Sequence, residues 1–385
     1  MFIDIHCTQE KKYNQNTFGD YFVSKRYPET DRLLAVLSDG LGSGVKANIL
    51  ASMTATMLLK FIEADSNVSK ASEIMMNSLP VCQKRMISYS TFSVMDCNSE
   101  GVTKIVEEGN PQFIWIRNNE VLNPECEIIT SEAFKNRKMH VYKLKLKEGD
   151  RLIFCSDGVT QSGLGTDRFK LGLRRKGLIE AIFNKLKEDK YITSCDLSKF
   201  IVNFARSLEP DRSAKDDISA VCVHCRTPRK SMLFTGPPFH IEKDNYWANV
   251  FKDFEGRKAI SGGTTANLIS RELNIPIDTP ITKNIGKLPS ISYMEGVDLV
   301  TEGILTLTRA YEYLEEGKSQ NDAAGDLVKF FLNSDCILFM VGAKLNQAHY
   351  DPNLPIEIEI RKNIIKKIAK VLEDKYIKKV SIQFM

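Results

Sequence analysis

Apolar and polar residues alternate over short stretches through most of the first half of the chain, and a period of two residues predicts β-strands. Segments 98–101 and 109–111 have the Asn, Gly and Pro composition of hairpin turns, so the strands beside them are expected to form a meandering antiparallel sheet. Strands are predicted at 2–7, 21–25, 33–37, 91–95, 103–107, 113–117, 141–146, 151–155 and 218–224.

Helical spacing interrupts this alternation twice. Between 46 and 64 apolar residues recur at helical spacing, which predicts a helix, and a second helix is expected at 69–78. The apolar residues of the first helix are Ile49, Met53, Met57, Leu58 and Phe61. Two further helices are predicted at 178–187 and 197–208. Runs of strands separated by pairs of helices favour an α+β fold, an α-β-β-α sandwich, over a parallel βαβ repeat.

The pattern breaks where Pro and basic residues cluster at 226–230 and again at 236–238. We therefore expect one domain at 1–228 and a smaller α/β domain at 229–385, for which a regulatory or ligand-binding role is open. Its predicted elements are a helix at 299–314, a strand at 336–341, a helix at 358–374 and a strand at 380–384.

A Gly-Gly turn at Gly262 and Gly263 separates a strand end from an amphipathic helix in this second domain. Such a turn can cradle phosphate or another anion, but it can equally be a simple capped turn, because the Gly-Lys-Ser/Thr ending of a phosphate-binding Walker loop is missing. The sequence therefore leaves two alternatives for this turn: a site for a small-molecule or anion ligand of the C-terminal domain, or a simple capped turn.

Composition and charge limit the classes of function that this chain can have. Lys and Arg number 53 against 49 Asp and Glu, and a net charge of +4 over 385 residues does not indicate a nucleic-acid or membrane surface. The start lacks a basic region followed by a long apolar run, so we expect no secretion signal, no membrane segment and a cytoplasmic location. A homodimer is left open.

Several aspartates stand where an extended run begins or ends. Asp39 and Asp157 each follow an apolar strand and precede a glycine, Asp20 begins a strand, and Asp216 and Asp217 precede one. Asp-Gly is also a common turn dipeptide, so each position alone has an ordinary turn as its alternative. Together, carboxylates at strand ends favour a hard cation such as Mg²⁺ or Mn²⁺, and two such ions about 4 Å apart catalyse phosphoester hydrolysis.

The order and spacing of these motifs resemble the PPM family of metal-dependent protein phosphatases, and most of all its bacterial sporulation stage II protein E branch. The resemblance covers residues 1 to about 226, and its most specific part is the glycine-rich stretch that opens a helix. The motifs are Gly19-Asp20, Ser38-Asp39-Gly40-Leu41-Gly42-Ser43-Gly44, Ser156-Asp157-Gly158-Val159 and Lys215-Asp216-Asp217-Ile218-Ser219.

The resemblance implies a role for each acidic residue. Asp39 would bridge two Mn²⁺ or Mg²⁺ ions with the backbone carbonyl of Gly40, Asp20 would bind one ion, and Asp157 and Asp216 would bind the other. Asp217 is a further candidate ligand, either directly or through water, or it faces solvent, because side chains of neighbouring residues in a strand point to opposite sides. The helices from 45 to 78 are implied to act as a switch that completes the metal site.

The resemblance also implies the reaction: a metal-activated water hydrolyses phosphoserine or phosphothreonine in a protein substrate, in bacterial signalling of the anti-sigma-factor type. The phosphate-binding arginine of eukaryotic members has no clear counterpart, although Lys25 and Arg26 lie near the first aspartate. Two alternatives are a non-catalytic or partner-activated binding protein on a phosphatase scaffold and a hydrolase of small phosphorylated metabolites.

Overall fold

The alternation of apolar residues in the first half of the chain builds two antiparallel sheets, and helices cover the outer face of each. The computed structural model describes residues 1–65, 67–78, 90–130, 137–278, 292–342 and 354–385, with the side chains of 65, 78 and 354–358 left aside. The chain divides into two compact units, Met1–Thr227 and Pro228–Met385, which we call unit 1 and unit 2.

The first sheet of unit 1 carries helices α1 and α2 on its outer face. Alternate residues of β3 separate the two faces, because Leu34 and Val36 pack against the helices while Leu37 points to the interior of the sandwich. The sheet has the strand order β2-β3-β4-β5-β9-β8. Its elements are β2 (Asp20–Tyr27), β3 (Arg32–Gly40), α1 (Val45–Asp65), α2 (Val68–Ser78), β4 (Ser90–Cys97), β5 (Val102–Glu108), β8 (Cys126–Thr130) and β9 (Lys138–Lys145).

The second sheet of unit 1 packs against α4 and α5 through residues such as Ile153 and Cys222. It has the strand order β1-β11-β10-β6-β7. Its elements are β1 (Phe2–Glu10), β6 (Ile114–Arg117), β7 (Glu120–Leu122), β10 (Arg151–Cys155), α3 (Asp157–Thr160), α4 (Arg174–Glu188), α5 (Ser194–Leu208) and β11 (Ile218–Arg226).

Aromatic contacts join the inner faces of the two sheets. The ring of Phe113 lies 5.1 Å from that of Tyr142 in β9 and 5.7 Å from that of Phe154 in β10. Unit 1 is therefore layered helix, sheet, sheet, helix, and the predicted α-β-β-α sandwich within an α+β fold is confirmed.

Helix α1 is long and apolar enough to cross a membrane by length and composition over Val45–Ala64, the one such helix among the described residues. The run was not visible as an uninterrupted apolar stretch in the sequence because Lys46 and Lys60 lie within it. Its inner residues Ala55, Leu58 and Ile62 are fully buried against the first sheet, as in a core helix.

Unit 2 contains a mixed sheet whose central strands are parallel. Its strand order is β14-β15-β16-β13-β12-β17-β18, and every pair from β16 to β18 is parallel. The elements are β12 (Lys230–Thr235), α6 (Asp244–Asp253), β13 (Arg257–Ser261), α7 (Gly263–Leu273), β14 (Ile277–Asp278), β15 (Ser292–Met294), β16 (Val297–Thr301), α8 (Ile304–Glu316), α9 (Ala323–Leu332), β17 (Cys336–Val341), α10 (Leu354–Asp374) and β18 (Lys379–Phe384).

The helix predicted at 299–314 is wrong at its start. Residues Leu299 to Thr301 belong to β16, and α8 begins only at Ile304, after Gly303. A buried parallel strand and a buried helix both show a continuous apolar run, so periodicity alone could not separate the two elements.

We expect His224 to make unit 1 less stable as the pH falls. Burial, with the charges of Arg151 and Arg226, lowers the pKa of His224 to about 4 from 6.5. Below pH 6.5 the unfolded chain therefore binds a proton at His224 that the folded chain does not bind, and the free energy of unfolding falls until about pH 4. We expect a loss of about 2 kcal/mol, reduced for partial exposure. Urea unfolding between pH 7 and 4 measures it, and His224→Gln is expected to flatten this part of the profile.

Candidate active site

Two of the predicted aspartates face each other across the first sheet. Strands β2 and β3 pair antiparallel, and their register places Asp20 opposite Asp39. Asp20 is only 2% exposed, and the hydroxyl of Ser219 in the second sheet donates to its Oδ2 at 2.6 Å. This contact between the sheets positions the Asp20 carboxylate.

Asp157 reaches the same place from the second sheet. It is the first residue of the short helix α3, directly after β10 and Ser156. Nε2 of Gln161 donates to its Oδ2 at 2.8 Å, and the neighbouring Asp39 side chain acts against the rise that burial causes in the pKa of Asp157. The fold thus brings Asp20, Asp39 and Asp157 together.

Asp216 and Asp217 have different surroundings at the start of β11. Asp217 is 3% exposed, and its carboxylate oxygens accept the backbone N–H groups of Lys12 at 3.1 Å and Gly19 at 2.8 Å. The alternative that Asp217 faces solvent is therefore wrong. Asp216 lies close enough to Asp39 and Asp157 for its charge to help raise the pKa values of both.

Burial and mutual repulsion change the pKa values of these carboxyls. Burial, with the charges of Asp20, Asp157 and Asp216, raises the pKa of Asp39 to about 10. Burial also raises the pKa of Asp20 to about 7, against the opposing hydrogen bonds from Ser219 and Ser156. The pKa values of Asp157 and Asp216 are raised, first by burial. The four groups cannot all be ionised together near neutral pH at low cost.

These residues fit a divalent cation in donor type and in charge. Carboxylate oxygens are the ligands that Mg²⁺ and Mn²⁺ prefer, and a cation relieves the repulsion that raises the pKa values. They do not form a closed coordination shell, since no group of three or more His, Cys, Asp or Glu residues in the described ranges is arranged to hold a metal ion. The candidate site is therefore an open cluster of acidic residues.

The glycine after each central aspartate is required by close backbone packing. A Cβ atom on Gly40 would stand 2.1 Å from the carbonyl oxygen of Ala47 in α1, and one on Gly158 would stand 2.1 Å from that of Asp217. Both distances are far below contact, so the Asp-Gly pairs allow α1 and the start of β11 to approach the carboxylates.

We expect Gly158→Ala to destabilise unit 1 by about 2 kcal/mol, because the backbone must move to accept the methyl group. The midpoint of urea unfolding measures the change. The matched control is Gly177→Ala in α4, where only the flexible Leu173 side chain is close and helix propensity favours Ala by about 1 kcal/mol. Equal effects of the two variants would contradict the packing argument.

The cations near this site differ from those expected. Lys25 pairs with Glu63 at 2.8 Å, and Arg26 pairs with Asp31 at 2.9 Å and is 7% exposed, so neither is directed at the carboxylates. Lys12, which the sequence did not single out, lowers the pKa of Asp216 through its charge. Ser219 and Gln161 were also missed, because a single serine or glutamine gives no sequence signal that it will donate to a carboxylate of the site.

Comparison with known proteins agrees with this geometry. A family model described as stage II sporulation protein E (SpoIIE) matches residues 29–226. Together with the two packed sheets, this match defines a PPM-type phosphatase domain. The chain belongs to the SpoIIE family, and the expected resemblance is confirmed.

Individual relatives are distant. Stage II sporulation protein E of Bacillus subtilis (strain 168) is 26% identical over 144 residues, which are 37% of this chain and 17% of that protein. The solved PP2C phosphatase domain of Bacillus subtilis SpoIIE with a fragment of its regulatory domain has a TM-score of 0.48 and 19% identity, over 58% of this chain and 62% of that one. The solved structure of RsbX in complex with magnesium has a TM-score of 0.40 and 20% identity, over 57% of this chain and 94% of that one.

Proposed function

We propose that this protein is a metal-dependent serine/threonine phosphatase of phosphoproteins. The observation that supports it most is the meeting of Asp20 and Asp39 with Asp157 and Asp216 from the other sheet, in a chain of the SpoIIE family. These four residues, with the Gly40 carbonyl, would hold two Mn²⁺ or Mg²⁺ ions, and Asp217 is a further candidate ligand.

Bound divalent cations would polarise the phosphoryl oxygens and lower the pKa of water. The chain itself supplies the positions of the ligands. Ser219 holds one oxygen of Asp20, and Gln161 holds one oxygen of Asp157. Asp217 fixes the backbone at Lys12 and Gly19 on either side of the loop before β2, so its larger role is to position that loop.

We propose that Lys12 attracts the substrate phosphate, because its charge already acts on Asp216 at the edge of the cluster. Lys12→Met keeps the length of the side chain and removes its charge. We expect KM for a phosphoserine peptide to rise about tenfold, equivalent to about 1.4 kcal/mol, with a smaller change in kcat. Lys11→Met, next in the chain and exposed, is the control. A fall in kcat with KM unchanged would contradict a binding role.

The proposed function is tested by hydrolysis of a phosphoserine peptide, a generic phosphate ester and a sugar phosphate by the full chain, with and without Mn²⁺. Metal-dependent turnover that favours the peptide is expected. Preference for the sugar phosphate would support a metabolite hydrolase. An inert, metal-loaded chain would overturn the enzymatic assignment in favour of a binding scaffold.

A second candidate is activation by a partner, and α1 supplies the observation for it. Its outer face exposes a stripe of large apolar residues, Val45, Ile49, Met53 and Met57, which are 39% to 63% exposed in unit 1. The opposite face of α1 touches Gly40, so a protein or a second copy on this stripe would act on the metal loop directly. Met53→Lys is expected to abolish activation by such a partner and to leave the folded state intact.

The setting we propose is cytoplasmic bacterial signalling, with phosphorylated regulators of the anti-sigma-factor type as substrates. A regulatory, ligand-binding role for unit 2 and assembly as a homodimer belong to the same proposal. Light scattering of the purified chain at several concentrations tests the dimer.

A further inference from the structure

In unit 2 the parallel strands β13 and β16 lie on one side of β12, and the later strands β17 and β18 lie on its other side. Helices α6 and α7 cover one face of the sheet, while α8, α9 and α10 cover the other. The order β16-β13-β12-β17-β18 is that of a doubly wound sheet, in which ligands bind outside the carboxyl ends of the strands. The carboxyl edge of this sheet is therefore the place to look for a site.

Two helix N-termini meet at that edge. Gly262 precedes α7 and Gly303 precedes α8, and as glycines they have no side chain to cap the helix N–H groups. A Cβ atom on Gly262 would lie 3.9 Å from the Cα of Gly303, so the two helix starts are neighbours. A Cβ on Gly263 would meet no atom within 4 Å, which leaves open space before the first turn of α7.

Two buried hydroxyls at the same edge supply an independent observation. Thr235 is the last residue of β12 and Thr306 lies in the first turn of α8, and both are 0% exposed. Within the described ranges neither Oγ1 has a hydrogen-bond partner. Thr306 lies in the first turn of α8 at this edge, and side chains of a helix lean toward its N-terminus. A buried hydroxyl without a partner is costly, and a ligand oxygen would satisfy it.

The charge at this edge favours an anion. A Cβ atom on Gly236, the residue after β12, would stand 2.6 Å from Nη1 of Arg361, so the guanidinium packs on this loop. The N–H of Gly236 in turn donates to Oγ1 of Thr265 in the first turn of α7 at 2.8 Å. Among the described residues at this edge, Glu302 carries the opposite charge, and it is exposed to solvent.

We propose that the carboxyl edge of unit 2 binds the phosphate group of a small ligand. The N–H groups that open α7 and α8 would donate to its oxygens, with the hydroxyls of Thr235 and Thr306 and the charge of Arg361. Unit 2 lacks the glycine pattern of a dinucleotide-binding turn after β12, so the phosphate is recognised by the two helix starts. This inference does not depend on phosphatase activity in unit 1.

The test is calorimetric titration of the full chain with inorganic phosphate in the presence of EDTA, so that metal-dependent binding in unit 1 does not contribute. A dissociation constant of roughly 1 mM or below is expected. Gly263→Asp places a carboxylate in the open space and is compatible with the first turn of a helix, so it should weaken binding at least tenfold. Gly263→Asn, of equal size and uncharged, should change it less than threefold.

A second pair of measurements separates binding from structure. Thr235→Val replaces the hydroxyl by a methyl group of similar size and should weaken phosphate binding about threefold or more. A purely structural hydroxyl would instead give a higher unfolding midpoint with the affinity unchanged, which would remove Thr235 from the site. No saturable binding of phosphate, or equal affinity in Gly263→Asp and the parent chain, overturns the proposal; phosphate bound by both would be an adventitious ion only.

Discussion

Replacing Asp39 by Asn is expected to reduce metal-dependent phosphate hydrolysis on the order of a thousandfold, equivalent to about 4 kcal/mol of transition-state stabilisation. Asp39 lies opposite Asp20 in the strand register, and the charge of Asp157 from the other sheet helps to raise its pKa, so Asp39 lies between carboxylates of both sheets. An amide in its place keeps the shape and loses one negative charge that the cations require.

The same substitution is expected to stabilise the metal-free fold, by about 1 kcal/mol or more. Burial and the neighbouring carboxylates raise the pKa of Asp39 to about 10, so near neutral pH the folded chain must bind a proton at Asp39 that the unfolded chain does not bind, and the amide removes this cost. Loss of activity with a gain in stability separates a role in the metal site from simple misfolding.

Turnover of a phosphoserine peptide with Mn²⁺ and thermal unfolding in EDTA measure the two effects. Asp157→Asn should behave in the same way, and Asp167→Asn, at an exposed position ten residues further on, is the neutral control. Retention of full metal-dependent turnover in Asp39→Asn would refute the proposed ligand set.

Replacing Asp150 by Ala is expected to destabilise unit 1 by about 3–5 kcal/mol. Asp150 is fully buried, and its carboxylate accepts two hydrogen bonds from Arg117, at 2.7 and 2.6 Å, and further ones from Nε1 of Trp115 and the N–H of Lys147. Removal leaves a cation and two N–H donors without their acceptor at the turn between β9 and β10.

The midpoint and slope of urea unfolding measure this loss. Glu188→Ala breaks the solvent-exposed pair that Glu188 forms with Lys185 and should change stability by less than about 1 kcal/mol. If Asp150→Ala falls in that small range as well, the buried network is not the anchor of this turn.

The sequence alone predicted the sandwich, and it singled out as candidates the acidic residues that the fold brings together. Alternation in β3 separates Leu34 and Val36 from their neighbours, and that local pattern follows directly from strand geometry. The Asp-Gly pairs could be recognised because a glycine is required where backbones approach within contact distance, as Gly40 and Gly158 do.

Only the tertiary structure decided which groups surround those aspartates. Lys12 and Asp217 are 205 residues apart in sequence, yet the Asp217 carboxylate accepts the N–H groups of Lys12 and Gly19, and Ser219 donates to Asp20. Asp150 likewise lies in a short turn between two strands, and only the fold brings four donors to its carboxylate. Pairings across sheets depend on how distant segments pack, and neither local propensity nor periodicity encodes which partner a polar side chain will meet.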